Sequence, residues 1–368
     1  MTAPLPPERL AAIEAAASRG VRWAAGQIGE HGVRGCEDDL LAHYKAPFCL
    51  AHAGETDAAR RAMRHVIERF HDRGDFHRDV APRAPWTGGT YANGWLASGA
   101  GRLGLDALRD AALDRIERDV DPAIGAPPNL PPGANGAAPI YDGGTAARAI
   151  ESLLDGGRVE PARRIGRFLK RLYERQSPDA SHVTWCVDAR DRLFSPENPA
   201  QRASWFMLEP GRTGQVYWFL GFALRVFARL HEADRDDGWL DVAARVRGWL
   251  ERCDAERLAC ISNAKLGWGA ARMVAVTGDP HWAETALAVA DWLVREQAAC
   301  GVWVRRPQYA DDATQPLAVS MDTTVERTLY LREILAAVAP GRPVVGPCIG
   351  ASAVEPSCRW QDPGSWTR

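Results

Sequence analysis

The sequence predicts an all-α chain folded as an (α/α)6 toroid, a barrel of six inner and six outer helices with short extended connections. Three observations predict it. Six segments rich in Gly, Ala and aromatic residues read as buried helices, beginning near Asp38, Tyr91, Tyr141, Thr213, Asn263 and Asp322. Their starts lie 53, 50, 72, 50 and 59 residues apart. Each gap holds a more charged helix, and one more such helix precedes Asp38. A period near 50 residues marks an array of helical hairpins, each burying its apolar face only against its neighbours. Six hairpins suffice to close a ring, which gathers the amino ends of the inner helices around one cavity.

The elements follow in order. The opening segment carries Glu8 and Glu14 and has no apolar h-region, so it is not expected to be a signal peptide. The first inner helix is read over DDLLAHYKAPFCLAHAG, with Asp38 and Asp39 at its start and His43, Tyr44 and Lys45 one to two turns in. The second places Tyr91, Asn93 and Trp95 near its start. Its G-x-G-x-x-G at Gly99–Gly104 ends a helix instead of following a strand, so it is no dinucleotide fingerprint. The third starts with Tyr141 and Asp142. The fourth, with Gln215 and Trp218 near its start, is apolar almost all round from Val216 to Leu220, as a buried helix should be. The fifth carries Asn263, Lys265 and Trp268. The outer helix after it aligns Trp282, Ala286, Val289, Ala290 and Leu293 on one stripe, with Asp279 as N-cap and Pro280 at the first helical position. The sixth carries Asp322 and Glu326 four residues apart, on one face. Two connections break the period: Pro/Gly-rich 121–140, and 177–212 with Trp185 and Trp205. Such long connections are often functional lids or walls. Residues 1–340 are read as one toroid domain, and 341–368 as an irregular tail packed outside or partly disordered.

Bulk composition narrows the class. Hydrophobic residues make up 46% and charged residues 25%, as in ordinary globular proteins. A net charge of −2 without a basic run leaves nucleic acid no electrostatic footprint. The longest apolar run is too short to cross a bilayer. Eight irregularly spaced cysteines without CxxC suit reduced thiols and a cytoplasmic location. A small-molecule partner is expected, apolar or oxygenated, and a homodimer is compatible with the sequence.

Gln297, Gly301 and Trp303 have the form Q-x3-G-x-W, the QW motif of squalene-hopene and oxidosqualene cyclases. With its six helix pairs the chain resembles the terpenoid cyclase and protein prenyltransferase α/α-toroid superfamily, as a single toroid. Class II cyclases of that family protonate an alkene with the middle Asp of D-x-D-D. Cys36-Glu37-Asp38-Asp39 carries the last two acids with Cys in the first place, so the resemblance implies Asp38 as the acid. Adjacent buried carboxylates cannot both ionise cheaply, which would keep one protonated. Alternatively, the pair simply caps a helix. The family's prenyltransferases hold zinc with Asp, Cys and His. Here Asp39, His43, Cys49 and His52 share no stripe and Pro47 interrupts them, so neither metal nor cofactor is expected.

Position at the ring mouth nominates the rest. Asp38, Asp39, His43, Asp322 and Glu326 are the candidate catalytic groups. Tyr44, Tyr91, Asn93, Trp95, Tyr141, Asp142, Trp205, Gln215, Trp218, Asn263 and Trp268 are the candidate substrate-binding groups. Carboxylates, tyrosines and a histidine around one cavity suit acid–base chemistry. The tryptophans either wall a pocket or pack between helices. Cys36, Cys49 and Cys186 are candidate nucleophiles only if they are not inert packing. The leading expectation is a cyclase-, isomerase- or lyase-type enzyme, terpenoid cyclase-like and in specialised metabolism. The alternative is a carbohydrate-active (α/α)6 enzyme, whether epimerase, hydrolase or lyase. A third is a non-enzymatic binding ring.

Overall fold

The computed structural model describes residues 5–76, 89–129, 138–199, 201, 206–235, 238–260, 263–306 and 308–340. Twelve α-helices alternate around a ring among them. The outer layer holds α1 (Pro7–Gln27), α3 (Thr56–Phe70), α5 (Asp106–Arg118), α7 (Val159–Glu174), α9 (Trp239–Arg252) and α11 (Pro280–Glu296). The inner layer holds α2 (Ala46–His52), α4 (Thr90–Arg102), α6 (Gly143–Asp155), α8 (Trp218–Ala233), α10 (Ala264–Thr277) and α12 (Leu317–Val338). Each inner helix packs on the next, and α12 packs back on α2, so the inner layer closes. The outer partner of α12 is α1, the far end of the chain. The expected toroid is present.

Burial separates the layers as the residue pattern requires. Every residue of α4 from Thr90 to Ala100 is buried, and every residue of α6 from Gly143 to Leu153. Outer α7 instead buries one stripe, including Ala162, Ile165, Leu169, Leu172 and Tyr173. Inner helices α8 and α10 meet backbone to backbone. A Cβ on Gly221 would collide with the main chain of Lys265 and Leu266, and one on Gly269 with the Gly221 carbonyl. Only glycine permits that approach.

Short antiparallel pairs dress the ring. These are β1 (Ile28–Gly29) with β2 (Gly32–Val33), β3 (Tyr141–Asp142) with β5 (Cys186–Val187), and β4 (Val183–Thr184) with β6 (Met207–Leu208).

Three inner helices begin elsewhere than their sequence pattern suggests. The first starts at Ala46, not Asp38. Asp39 caps a separate 3-10 turn, Leu40–Ala42, and Pro47 sits in the first turn of the helix proper. The fourth starts at Trp218, leaving Gln215 in the preceding loop. The sixth starts at Leu317 after Pro316, so Asp322 and Glu326 lie one to two turns inside it. The tail 341–368 lies outside the described residues, as do residues 77–88 and 130–137. No helix among the described residues is long and apolar enough to cross a membrane.

Candidate active site

The last inner helix supplies the centre of the site. Asp322, Glu326 and Tyr330 are spaced by four, so they stack on one face of α12. Lys45, from the turn before α2, places its Nζ 2.8 Å from Asp322 Oδ1 and 3.0 Å from Glu326 Oε1. Lys265, in the first turn of α10, reaches Glu326 Oε1 from the other side at 2.5 Å. Arg305, in the loop before α12, donates from Nε to Thr323 Oγ1 at 2.8 Å and from Nη2 to Asp322. The Gln315 amide fixes that loop by accepting from Arg305 N at 2.7 Å and donating to Trp303 O and Ser320 Oγ. Lys45 is 4% exposed, Asp322 2% and Glu326 7%.

Burial alone would neutralise these groups; their mutual attraction reverses it. Burial raises the Glu326 pKa, but the Lys265 and Lys45 ammonium groups pull it well below the carboxylate range. Burial lowers that of Lys45, yet Asp322 and Glu326 raise it above that of a free lysine. The Tyr44 and Tyr330 hydroxyls are pushed far up, first by burial and then by the neighbouring carboxylates. At neutral pH, Glu326 and Lys45 are therefore ionised and both tyrosines neutral.

Below this layer the lumen is floored by aromatic rings. Trp95 of α4 and Trp268 of α10 come from opposite sides of the ring and stack at 6.3 Å between centroids. Tyr330 lies 4.7 Å and Phe222 5.6 Å from Trp268. Cations sit against the same rings. Lys45 Nζ is 5.8 Å from the Trp95 centroid, Lys265 Nζ 5.8 Å from that of Trp218, and the Arg148 guanidinium 4.6 Å from Trp95. Deeper still, Arg225 stacks on Trp268 at 3.8 Å and bonds Glu151 (3.0 Å) and Glu333 (3.1 Å). Arg229 joins Glu151 and Asp155. Burial works against ionisation of Glu151, but Arg225, Arg229 and Arg148 bring its pKa down to about 2. The indole pair and this ionic layer fill the centre of the ring, and the carboxylate–lysine layer with the rings against it forms the candidate cup.

The structure brings Asp322 and Glu326 together with Lys45 and Lys265 and sets the other three candidate catalytic groups apart from them. Asp38 is exposed and paired with Arg69 at 2.6 Å, away from the lumen, because the helix it was expected to begin starts later. Asp39 accepts from Leu41 N at 3.1 Å as a cap. His43 is buried but fully engaged: Nε2 accepts from Val33 N at 2.8 Å and Nδ1 donates to Asp39 O at 2.9 Å. Its ring lies 4.7 Å from that of His65. Burial drops the His43 pKa to about 4, so it is a neutral clasp for the β1–β2 hairpin.

The binding candidates also divide. Tyr44, Tyr91, Trp95 and Trp268 belong to the cup, and half-buried Trp218 stands beside Lys265. Asn263 is fully buried, with neither amide atom hydrogen-bonded. Four others hold the scaffold. Asn93 accepts from Phe76 N and donates to Asp75, and Tyr141 donates to Asp121 Oδ2 at 2.6 Å. Asp142 caps α6 through Gly144 N and Thr145 N, and Gln215 braces residues 209–212. Trp205 lies outside the described residues. Burial pushes the Cys49 and Cys186 thiols up, which makes them poor nucleophiles. Cys36 is half-buried. Sequence reasoning missed Arg305, Arg148 and Tyr330 as site residues. Tyr330 was within reach, eight residues after Asp322 on the same face.

No family model and no curated protein matches the chain. Among solved structures it is similar to D-mannose isomerase (TM-score 0.66, 11% identity, covering 88% of this chain and 97% of that one). It is also similar to cellobiose 2-epimerase from Spirochaeta thermophila (0.61, 13%, 89% and 98%). A third match is a GH76 α-mannanase from Bacteroides thetaiotaomicron (0.59, 12%, 88% and 95%). At these identities the likeness shows the shared (α/α)6 toroid. It overturns the resemblance to terpenoid cyclases and prenyltransferases, since these neighbours are carbohydrate-active (α/α)6 enzymes. Gln297 explains how the motif misled. Its amide donates to Ala16 O and Gly301 O at 2.9 Å, and Trp303 Nε1 donates to Leu293 O at 2.7 Å. These are local tethers of a helix end, useful in any such ring.

Proposed function

We propose that this chain is a carbohydrate-active enzyme of the isomerase or epimerase type, binding a sugar in the cup around Lys45, Lys265, Asp322 and Glu326. The buried ionic layer carries this reading. A hydrocarbon entering there would part these buried charges from one another and return no hydrogen bond, at a cost of several kcal/mol per ion. A polyol replaces each lost contact with a hydroxyl, and its C–H faces would lie against the Trp95 and Trp268 indoles. The charge state favours isomerase over hydrolase. A glycosidase needs one carboxylic acid with a raised pKa and a gap between two carboxylates for substrate. Here Glu326 is held ionised, and the Lys45 ammonium fills the space between Asp322 and Glu326.

In the proposed reaction the sugar displaces one ammonium partner of Glu326. Glu326 then takes the proton from the carbon beside the carbonyl, and an ammonium stabilises the oxyanion that forms. A proton exchanged with solvent on Glu326 then returns to the former carbonyl carbon, while the neighbouring hydroxyl passes its proton to the oxyanion and becomes the new carbonyl. The test is incubation with D-mannose, D-glucose, D-fructose and cellobiose in D2O, followed by NMR. We expect deuterium at the carbon next to the carbonyl, together with isomer, and neither with Glu326→Gln. Release of reducing ends from oligosaccharides without deuterium uptake would overturn the reading in favour of hydrolysis.

A further inference from the structure

The mouth of the cup carries more positive than negative charge. Lys45, Lys265 and Arg305 face only Asp322 and Glu326 in their described ion pairs. One positive charge in this layer is left over. Lys45, Lys265, Asp322 and Glu326 are almost wholly buried, where solvent screens poorly. Arg305, at the rim with 26% of its side chain exposed, uses N, Nε and Nη2 in described contacts, and Nη1 has none.

A second observation is independent of that count. Several buried N–H groups lining the cup find no acceptor: the indoles of Trp95 and Trp268, and Nε and Nη1 of Arg148. Arg148 is fully buried. Its described polar partners are Ser98 Oγ at 2.8 Å and Asp155 at 3.6 Å, and Asp155 also serves Arg229. A buried donor left unpaired is costly, so such sites are built for something that accepts. The amino ends of the inner helices add partial positive charge on the same side.

From the surplus cation and the waiting donors together, we infer that the natural substrate is an anionic sugar. Its carboxylate or phosphate is received by Arg305 and the lysine pair, and its hydroxyls and ring oxygen by the deeper donors. This rests on the sugar reading and sharpens it to a substrate class.

The experiment measures binding by calorimetry at low and high salt. One arm holds sugar carboxylates (D-glucuronate, D-gluconate), a second holds D-glucose 6-phosphate, and a third holds neutral D-glucose and D-mannose. Inorganic phosphate and acetate serve as probes of the bare anion. The same set is run on Arg305→Gln, a rim substitution that the fold should tolerate, and on Lys265→Gln. We expect at least one charged sugar to bind ten-fold or more tightly than its neutral counterpart. That advantage should shrink with salt and be lost in Arg305→Gln. The arm that responds tells carboxylate from phosphate. Equal or tighter binding of the neutral sugars overturns the anionic substrate and leaves the sugar reading standing. Bare anions binding as well as charged sugars, or a charge preference unaltered in both variants, also overturns it. Silence from every sugar overturns both.

Discussion

At the residue scale, Glu326 decides how the site behaves. It is the shared counter-ion of two buried lysines. Removing its charge strands the Lys265 ammonium and leaves Lys45 with Asp322 alone, and breaking such a buried pair costs about 3–5 kcal/mol. We expect Glu326→Gln to be strongly destabilised in urea as well as inactive. The double variant Glu326→Leu/Lys265→Met should recover much of the stability and none of the activity. His43 gives a pH signature. Its pKa falls from 6.5 to about 4 on folding, so between those values the unfolded chain binds more protons than the folded one. Its contribution is complete above pH 6.5, shrinks as pH falls towards 4, and amounts to at most ~3 kcal/mol. We expect the melting temperature to drop between pH 7 and 4.5, with a shallower slope in His43→Gln. The Asp322/Glu326 face was legible from spacing alone. That His43 faces a hairpin was not, because the pattern DDLLAHYK cannot show that a turn intervenes before the helix.

At the scale of elements, the six pairs were legible because inner and outer helices bury different fractions of their surface. α6 is buried from Gly143 to Leu153, whereas α7 shows one stripe. Helix starts were less so. Pro47 and Pro316 were the usable markers of α2 and α12, and the carboxylates at Asp38 and Asp322 drew attention from them. The contact of α8 with α10 is the tightest seam in mechanical terms. We expect Gly221→Ala to force these helices apart and cost about 1–3 kcal/mol, read as a lower urea midpoint with an unchanged m-value. Because Lys265 follows the same seam, sugar binding should weaken in parallel.

At the scale of the whole molecule, closure depends on α1 reaching back to α11 and α12. Gln297 donates to Ala16 O, and Arg19 donates to the Gln297 side-chain oxygen at 2.7 Å. Gly301 passes over Arg19 O with φ +104, a conformation and a clearance only glycine offers. We expect Gln297→Ala to cost about 1–3 kcal/mol. Limited proteolysis should then cut first near α1, because the clasp and not the rest of the ring is loosened. The ring was visible in the sequence as a repeat. Its closure and the polarity of its lumen were not, since both depend on pairs such as Lys45 with Asp322 that no local pattern reveals.

That pairing also sets a rule for how the protein is made. Lys45 leaves the ribosome well before Asp322 and Glu326, so synthesis up to α12 precedes the first moment at which a site exists. A nascent chain holding α1 to α10 has its lysines in place without counter-charge, a state of low stability that binds no sugar. Ligand added during translation should leave such chains unprotected from protease and rescue only those that have emerged past α12. Catalytic competence is thereby a built-in report that synthesis has passed α12.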